Sequence, residues 1–132
     1  MRTKRAIASV MLVGSALMVT PVANAAISDC NNNNMCMWGN NDYQWMIGER
    51  AHGSATLVNL SGDNDNAMDS WSNESGTHSG CMYGAFNGTG DRQGMAPEAN
   101  DNNVSPLNSD EVSSWRTRHG CQTAQRAEGL TT

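Results

Sequence analysis

The sequence predicts an all-β domain: two Greek-key motifs packed as a sandwich and stabilised by disulfides. Three observations predict it. Apolar residues come in short bursts ("MCMW", "ATLVNL", "AMDSW", "CMYGAF", "EVSSW") between turn formers such as "GNND", "SGDND", "NGTGD" and "NDNN", nearly without helical periodicity. The chain also repeats itself: Cys36-Met37-Trp38 returns as Cys81-Met82-Tyr83 at an offset of 45, and Ser70-Trp71 returns as Ser114-Trp115 at 44. Two anchors that keep nearly one spacing mark a tandem unit of roughly 40 residues, the size of one four-stranded Greek key. Finally, the four cysteines are an even count in a small chain, which reads as two disulfides in any of three pairings. A zinc site would favour Cys-x2-Cys spacing and a reducing compartment, and neither is present.

The chain opens on a targeting signal. Arg2, Lys4 and Arg5 precede the apolar run "AIASVMLVGSALMV", and "VANA" ending at Ala25 fits a small-residue cleavage site. Residues 1–25 are therefore expected to be a secretory signal peptide, and the protein is expected outside the cell. The run falls short of the ~20 residues needed to span a bilayer, so no membrane association is expected after cleavage. Cleavage leaves 107 of the 132 residues, enough for one domain with a modest core. The leader holds three of the eight basic residues and none of the thirteen acids, so five Arg face thirteen acids, a net charge of −8. Such a surface repels nucleic acid and anionic lipid. The domain is expected over 26–121, with repeat one at about 36–73, repeat two at about 81–118 and a frayed tail over 122–132. A monomer is the expected state.

Each element has a reason. Asn31 to Asn34 form a polar loop between Cys30 and Cys36. Trp38 and Tyr83 sit at matching positions of the two units and are expected to fill the core. Trp71 and Trp115 close the units and bring large buried area to a chain with one Phe. Ser70 and Ser114, one residue earlier, point to the opposite face. The acid and amide clusters before them are where turns use side chains to hold backbone N–H groups. Met35, Met37, Met46, Met68, Met82 and Met95 read as core filler rather than metal ligands.

Together these features resemble the βγ-crystallin superfamily, and within it the small secreted bacterial proteins of peptidase inhibitor family I36. The resemblance spans about Cys30 to Cys121. "CNNNNMCMW" gives Cys-x5-Cys followed by an aromatic. "WGNNDYQW" (Trp38 to Trp45) is similar to the hairpin pattern of aromatic, four residues, aromatic, one residue, Gly, with Trp45 in place of the Gly. "YGAFNGTG" (Tyr83 to Gly90) keeps Gly90 but carries Gly88 where an aromatic is usual. "DNAMDS" (Asp65 to Ser70) and "SDEVSS" (Ser109 to Ser114) are versions of the closing motif (N/D)(N/D)xx(S/T)S.

The resemblance implies two functions. One is inhibition of a secreted protease, above all a metalloprotease, through a rigid loop; the matching stretch is Ser75, Gly76, Thr77, His78, Ser79 and Gly80. It lacks the cysteine that tethers this loop in the family's founding inhibitor, and Cys121 is the spare one. The implied pairing is thus Cys30–Cys36 and Cys81–Cys121. The other function is Ca²⁺ binding between the closing motifs, with Asp65, Asn66 and Asp69 from the first and Ser109, Asp110 and Ser113 from the second. Asp69 replaces the usual Ser/Thr, and Ser109 replaces the usual Asn/Asp. The bland alternative is that these residues only cap turns; no cofactor is required, and Ca²⁺ is the one ion implied. An antimicrobial or killer-toxin-like role is a third alternative, and the charge of −8 counts against it.

No enzyme is expected. His-Glu-x-x-His, Gly-x-Ser-x-Gly and P-loop motifs are missing. His78 lies three residues before Cys81, but a disulfide is the stronger reading of that cysteine. His52, His78 and His119 are scattered, each next to or two residues before a Gly, and read as surface or turn residues.

Overall fold

The computed structural model describes residues 14, 26–104 and 109–122. The expected signal peptide, apart from residue 14, and the expected tail after residue 122 lie outside the described residues. The described residues form eight strands: β1 (Asn34–Asn40), β2 (Gln44–Ala51), β3 (Val58–Asn59), β4 (Ser70–Asn73), β5 (Gly80–Ala85), β6 (Thr89–Met95), β7 (Asn100–Asp101) and β8 (Ser114–Arg116). They form two four-stranded sheets, ordered β2-β1-β4-β7 and β3-β8-β5-β6. Every pairing is antiparallel.

Each repeat supplies three strands to its own sheet and lends the fourth to the other. The two-residue β3 of the first repeat pairs with β8, Val58 opposite Trp115. The two-residue β7 of the second repeat pairs with β4, Trp71 opposite Asp101. Two Greek keys are present, as expected, and the two sheets are built by exchange.

The core lies between the sheets. Met35, Met37, Ile47, Leu60, Met68, Trp71, Met82, Met95, Val104, Val112 and Trp115 form one buried cluster. Methionine does much of the filling, because its flexible thioether fits irregular gaps that a chain poor in Phe and Ile leaves. Trp115 reaches across to β2, where a Cβ on Gly48 would stand 3.1 Å from its Cζ2. Arg50, also on β2, stacks its guanidinium 5.2 Å from the Trp115 ring centre and donates to the Trp115 carbonyl at 2.9 Å. That cation–π contact and hydrogen bond tie the two sheets together. Burial pushes the Arg50 pKa down from its ordinary value.

Trp38 corrects one expectation. On β1 the side chains alternate, so Met35 and Met37 enter the core while Cys36 and Trp38 face the other way. Trp38 is buried with Cys30 and Cys36 in a small second cluster, covered by Tyr43 and Met46. The Trp38 and Tyr43 rings meet edge to face at 5.1 Å. Tyr83, its counterpart, is buried but likewise stands apart from the central cluster. The run "MCMW" is apolar on both faces, so alternation could not say which face was the core.

The disulfides are Cys30–Cys36 and Cys81–Cys121, as the resemblance implies, and no cysteine is free. Zinc binding by these sulfurs is thereby removed, although Cys30, Cys36 and Glu49 lie close together. Glu49 instead fastens the Asn31–Asn34 loop: one carboxylate oxygen accepts from the Asn31 N–H at 3.1 Å, Asn31 Nδ2 at 2.7 Å and Asn34 Nδ2 at 2.8 Å. Those donors hold the Glu49 pKa below its ordinary value, the Asn34 bond being the largest cause.

Candidate functional site: the paired closing turns

The repeat is visible in the backbone. Asp42, Tyr43 and Trp45 have φ of 58°, 58° and 60°; Asn87, Gly88 and Gly90, each 45 residues later, have 60°, 71° and 79°. The two hairpins thus share one left-handed pattern, although different residues carry it. Trp45 adopts the conformation that Gly90 adopts freely. Where the second hairpin lacks an aromatic at Gly88, Leu57 fills the gap: a Cβ there would meet Leu57 Cδ1 at 2.7 Å.

Ser70 and Ser114 lock these hairpins to their sheets. Ser70 Oγ donates to the Asn40 carbonyl at 2.7 Å and accepts from the Tyr43 N–H at 3.1 Å. Ser114 Oγ donates to the Ala85 carbonyl at 2.6 Å and accepts from the Gly88 N–H at 3.0 Å. Both serines are fully buried. The serine of each closing motif therefore holds turn backbone, but that of the hairpin rather than its own.

The acid and amide residues before the serines do something else. The two closing turns face each other and bond reciprocally. Asn66 and Asp110 both take φ 57°, and their N–H groups donate to Val112 O at 3.0 Å and Met68 O at 3.1 Å. Ser113 Oγ donates to Asn66 Oδ1 at 3.2 Å, and Ser109 Oγ donates to Asp69 Oδ1. Five of the six residues expected to hold Ca²⁺ thus meet across the pseudo-twofold axis. The sixth, Asp65, precedes Asn66, and its Oδ1 is buried with no hydrogen-bond partner among the described residues. These residues therefore bond across the two motifs as well as within their own turns.

A hollow of about 380 Å³ opens beside this junction, lined by Asn66, Gly84, Gly90, Asp91 and Glu111. Asp91 and Glu111 were not singled out from sequence. Glu111 fills a variable position of "SDEVSS", and Asp91 directly follows the hairpin glycine, so only their shared side of the fold brings them to Asn66. The donor set of carboxylates, an amide oxygen and hydroxyls is all hard oxygen. It suits Ca²⁺, which takes several such ligands, and the unpartnered Asp65 oxygen is the kind of group a cation would satisfy.

The stretch Ser75 to Gly80 is braced from within. Asn73, fully buried, donates its amide to His78 O at 2.8 Å, Met95 O at 3.0 Å and Ala96 O at 3.1 Å. Its Oδ1 accepts from the Ser75 N–H at 2.9 Å. Ser75 Oγ accepts from the N–H groups of Thr77 at 3.2 Å and His78 at 3.0 Å, and lies 2.6 Å from His52 Nδ1. Only Gly76 and Thr77 of the stretch are exposed. The histidines correct a second expectation: His52 and His78, 26 residues apart, bring their ring centres within 4.4 Å. Cys81, bonded to Cys121, is no nucleophile.

No family model matches the chain, and no curated protein matches it. Solved structures do. A βγ-crystallin from Ciona intestinalis aligns with a TM-score of 0.51 at 17% identity, covering 64% of this chain and 99% of that one. A βγ-crystallin domain from Flavobacterium johnsoniae gives 0.51 at 18%, covering 64% and 92%. A domain solved to follow the evolution of the eye-lens βγ-crystallin fold gives 0.52 at 9%, covering 64% and 84%. At these identities the likeness shows the fold alone, a sandwich of βγ-crystallin type. Membership of the peptidase inhibitor family is a narrower statement than a likeness of fold carries.

Proposed function

We propose that this is an exported structural module of βγ-crystallin type whose closing turns bind Ca²⁺, and that the cation stabilises the fold. The observation that carries the reading is the buried, unpartnered Asp65 Oδ1 at the junction where Asn66 meets Ser113 and Asp69 meets Ser109. Asp65, Asn66, Asp69, Ser109, Asp110 and Ser113 would hold the ion, with Asp91 and Glu111 adding charge from the adjoining hollow. A bound Ca²⁺ would supply positive charge to a strongly acidic chain. The chain's own part is to bring two turns from different repeats into register, so that their affinity for the ion becomes stability of the whole sandwich. Two disulfides support export, since such bonds persist in oxidising compartments.

The test is a thermal melt of the EDTA-stripped protein with and without Ca²⁺. A ligand at a hundredfold its Kd adds about 2.7 kcal/mol. In a domain this small that shifts Tm by roughly 10 °C or more. Asp65→Asn should shrink the shift, and no shift at millimolar Ca²⁺ removes the reading.

A second reading, inhibition of a secreted protease, draws on the bracing of Ser75 to Gly80 by Asn73 and by the Cys81–Cys121 bond that follows. A preordered loop loses little entropy on binding. Titration against thermolysin-like and subtilisin-like proteases tests it, and full protease activity at excess protein across the panel would sink it.

A further inference from the structure

A pocket of about 550 Å³ lies at the opposite functional stretch from the closing turns, between Thr77–Gly80, Gly94–Ala96 and Arg118–Gln122. Its charged and titratable lining consists of His78, Arg118 and His119. The chain carries thirteen acidic residues, yet among the described residues no acid lines this pocket. The Glu98 carboxylate approaches Gly76, which is not part of the lining. Positive charge is therefore gathered here against the overall sign of the molecule.

The walls are fixed before any ligand arrives. Cys81–Cys121 joins the two sides, and the Gly120 N–H donates to Ser79 O at 2.9 Å. Arg116, largely buried, donates to Gly120 O through Nε at 3.0 Å and Nη2 at 2.9 Å, and to Gln122 O. Arg92 Nη1 donates to Cys121 O at 3.2 Å. Arg116 and Arg92 thus serve as struts, while Arg118 is exposed at the rim. Gly80, Gly94 and Gly120 keep side chains off much of the surface between them. His119 and Gly120 both sit in the left-handed region, φ 66° and 53°, which sets the tight bend of the wall.

We propose that this pocket binds a small ligand through an oxyanion, a phosphate or a carboxylate, held by Arg118 with His78 and His119. Arg118 presents the forked donors that suit either group, and the histidines add charge when protonated. His78 is held below its ordinary pKa, first by desolvation and then by the positive charges of His52, Arg118 and His119. These are the groups that face it, with the Thr77 hydroxyl on its Nδ1 at 2.8 Å. An anion placed among them offsets that repulsion. Binding must then strengthen as pH falls through the histidine range, and by linkage a bound anion must raise the His78 pKa. This site is independent of Ca²⁺ binding at the closing turns.

The experiment is an NMR titration of the full-length mature protein, following the imidazole resonances of His78 and His119. Inorganic phosphate and citrate are added separately near pH 6 and near pH 8, with chloride at matched ionic strength. The expected result is saturable shifts with one or both oxyanions, an upward move of the His78 pKa, and affinity weaker by roughly tenfold at the higher pH. Arg118→Gln, at an exposed position away from the core, should weaken binding by at least roughly tenfold while leaving the melt unchanged. Phosphate alone, citrate alone or both would say which oxyanion the pocket takes. Shifts matched by chloride, shifts unaltered by Arg118→Gln, or no saturation at millimolar oxyanion would each overturn the proposal.

Discussion

The indole ring of Trp45 lies against the bare α-carbon of Gly39: a methyl group on Gly39 would stand 2.1 Å from Trp45 Cε3. Trp45 is itself at φ 60°, where the second hairpin uses Gly90. The two departures support each other, because only a glycine beneath leaves room for the ring that the left-handed backbone throws over it. Gly39→Ala is therefore expected to destabilise the fold by about 1–3 kcal/mol through overpacking. In a Trp45→Gly background the same change should fall to within ~0.5 kcal/mol. A double-mutant cycle by denaturant melts checks this, and additive effects would refute the coupling.

Ser70 and Ser114 each satisfy one carbonyl and one N–H of a hairpin from full burial. Ser70→Ala and Ser114→Ala leave those groups unpaired and should each lower stability by about 1–3 kcal/mol. Hydrogen exchange at the Tyr43 and Gly88 amides should speed up selectively in the matching variant. Loss of stability without faster exchange at those amides would count against the serines as the locks of the hairpins.

The disulfides should differ in weight. They close loops with sequence separations of 6 and 40. The chain-entropy relation gives about 2.4 kcal/mol for the short loop and about 3.9 kcal/mol for the long one. Paired Cys→Ser variants compared by equilibrium unfolding check the order. A larger loss from Cys30/Cys36 would show that the small cluster with Trp38 outweighs loop entropy.

The pH dependence has a definite sign. The folded state holds the His78 pKa below its ordinary value, through desolvation and the charges of His52, Arg118 and His119. As pH falls through the ordinary histidine value of about 6.5, the unfolded chain takes up the proton first. Stability is thus full above that value and declines as pH drops below it. His78→Gln should flatten this decline between about pH 7 and pH 5.5, measured by melts without phosphate or citrate. An unchanged slope in the variant would remove His78 as its source.

Much of this arrangement could be read from residues alone. The repeat was legible because Cys-Met-aromatic and Ser-Trp recur at matched offsets, and hairpin and closing motifs carry distinctive turn residues. Strand exchange was not, since β3 and β7 are two residues each and too short to show periodicity. The two closing motifs could be picked out by their shared pattern, whereas Asp91 and Glu111 entered only through the fold. The histidine pair was hidden for a related reason: His52 and Ser75 belong to segments that meet only once Asn33 and Glu74 have paired their backbones.

The lending of β3 and β7 has a consequence for descent. A lone repeat is half a fold: it would leave one sheet short and its Trp without an opposing layer. Two identical copies, trading the same short strands, would rebuild the present architecture as a symmetric dimer. Duplication and fusion of one such gene would then give this chain, and the drift of Trp45 and Gly88 away from their counterparts would record the time since. Separate expression of the two halves tests the point, because they should fold together and not alone.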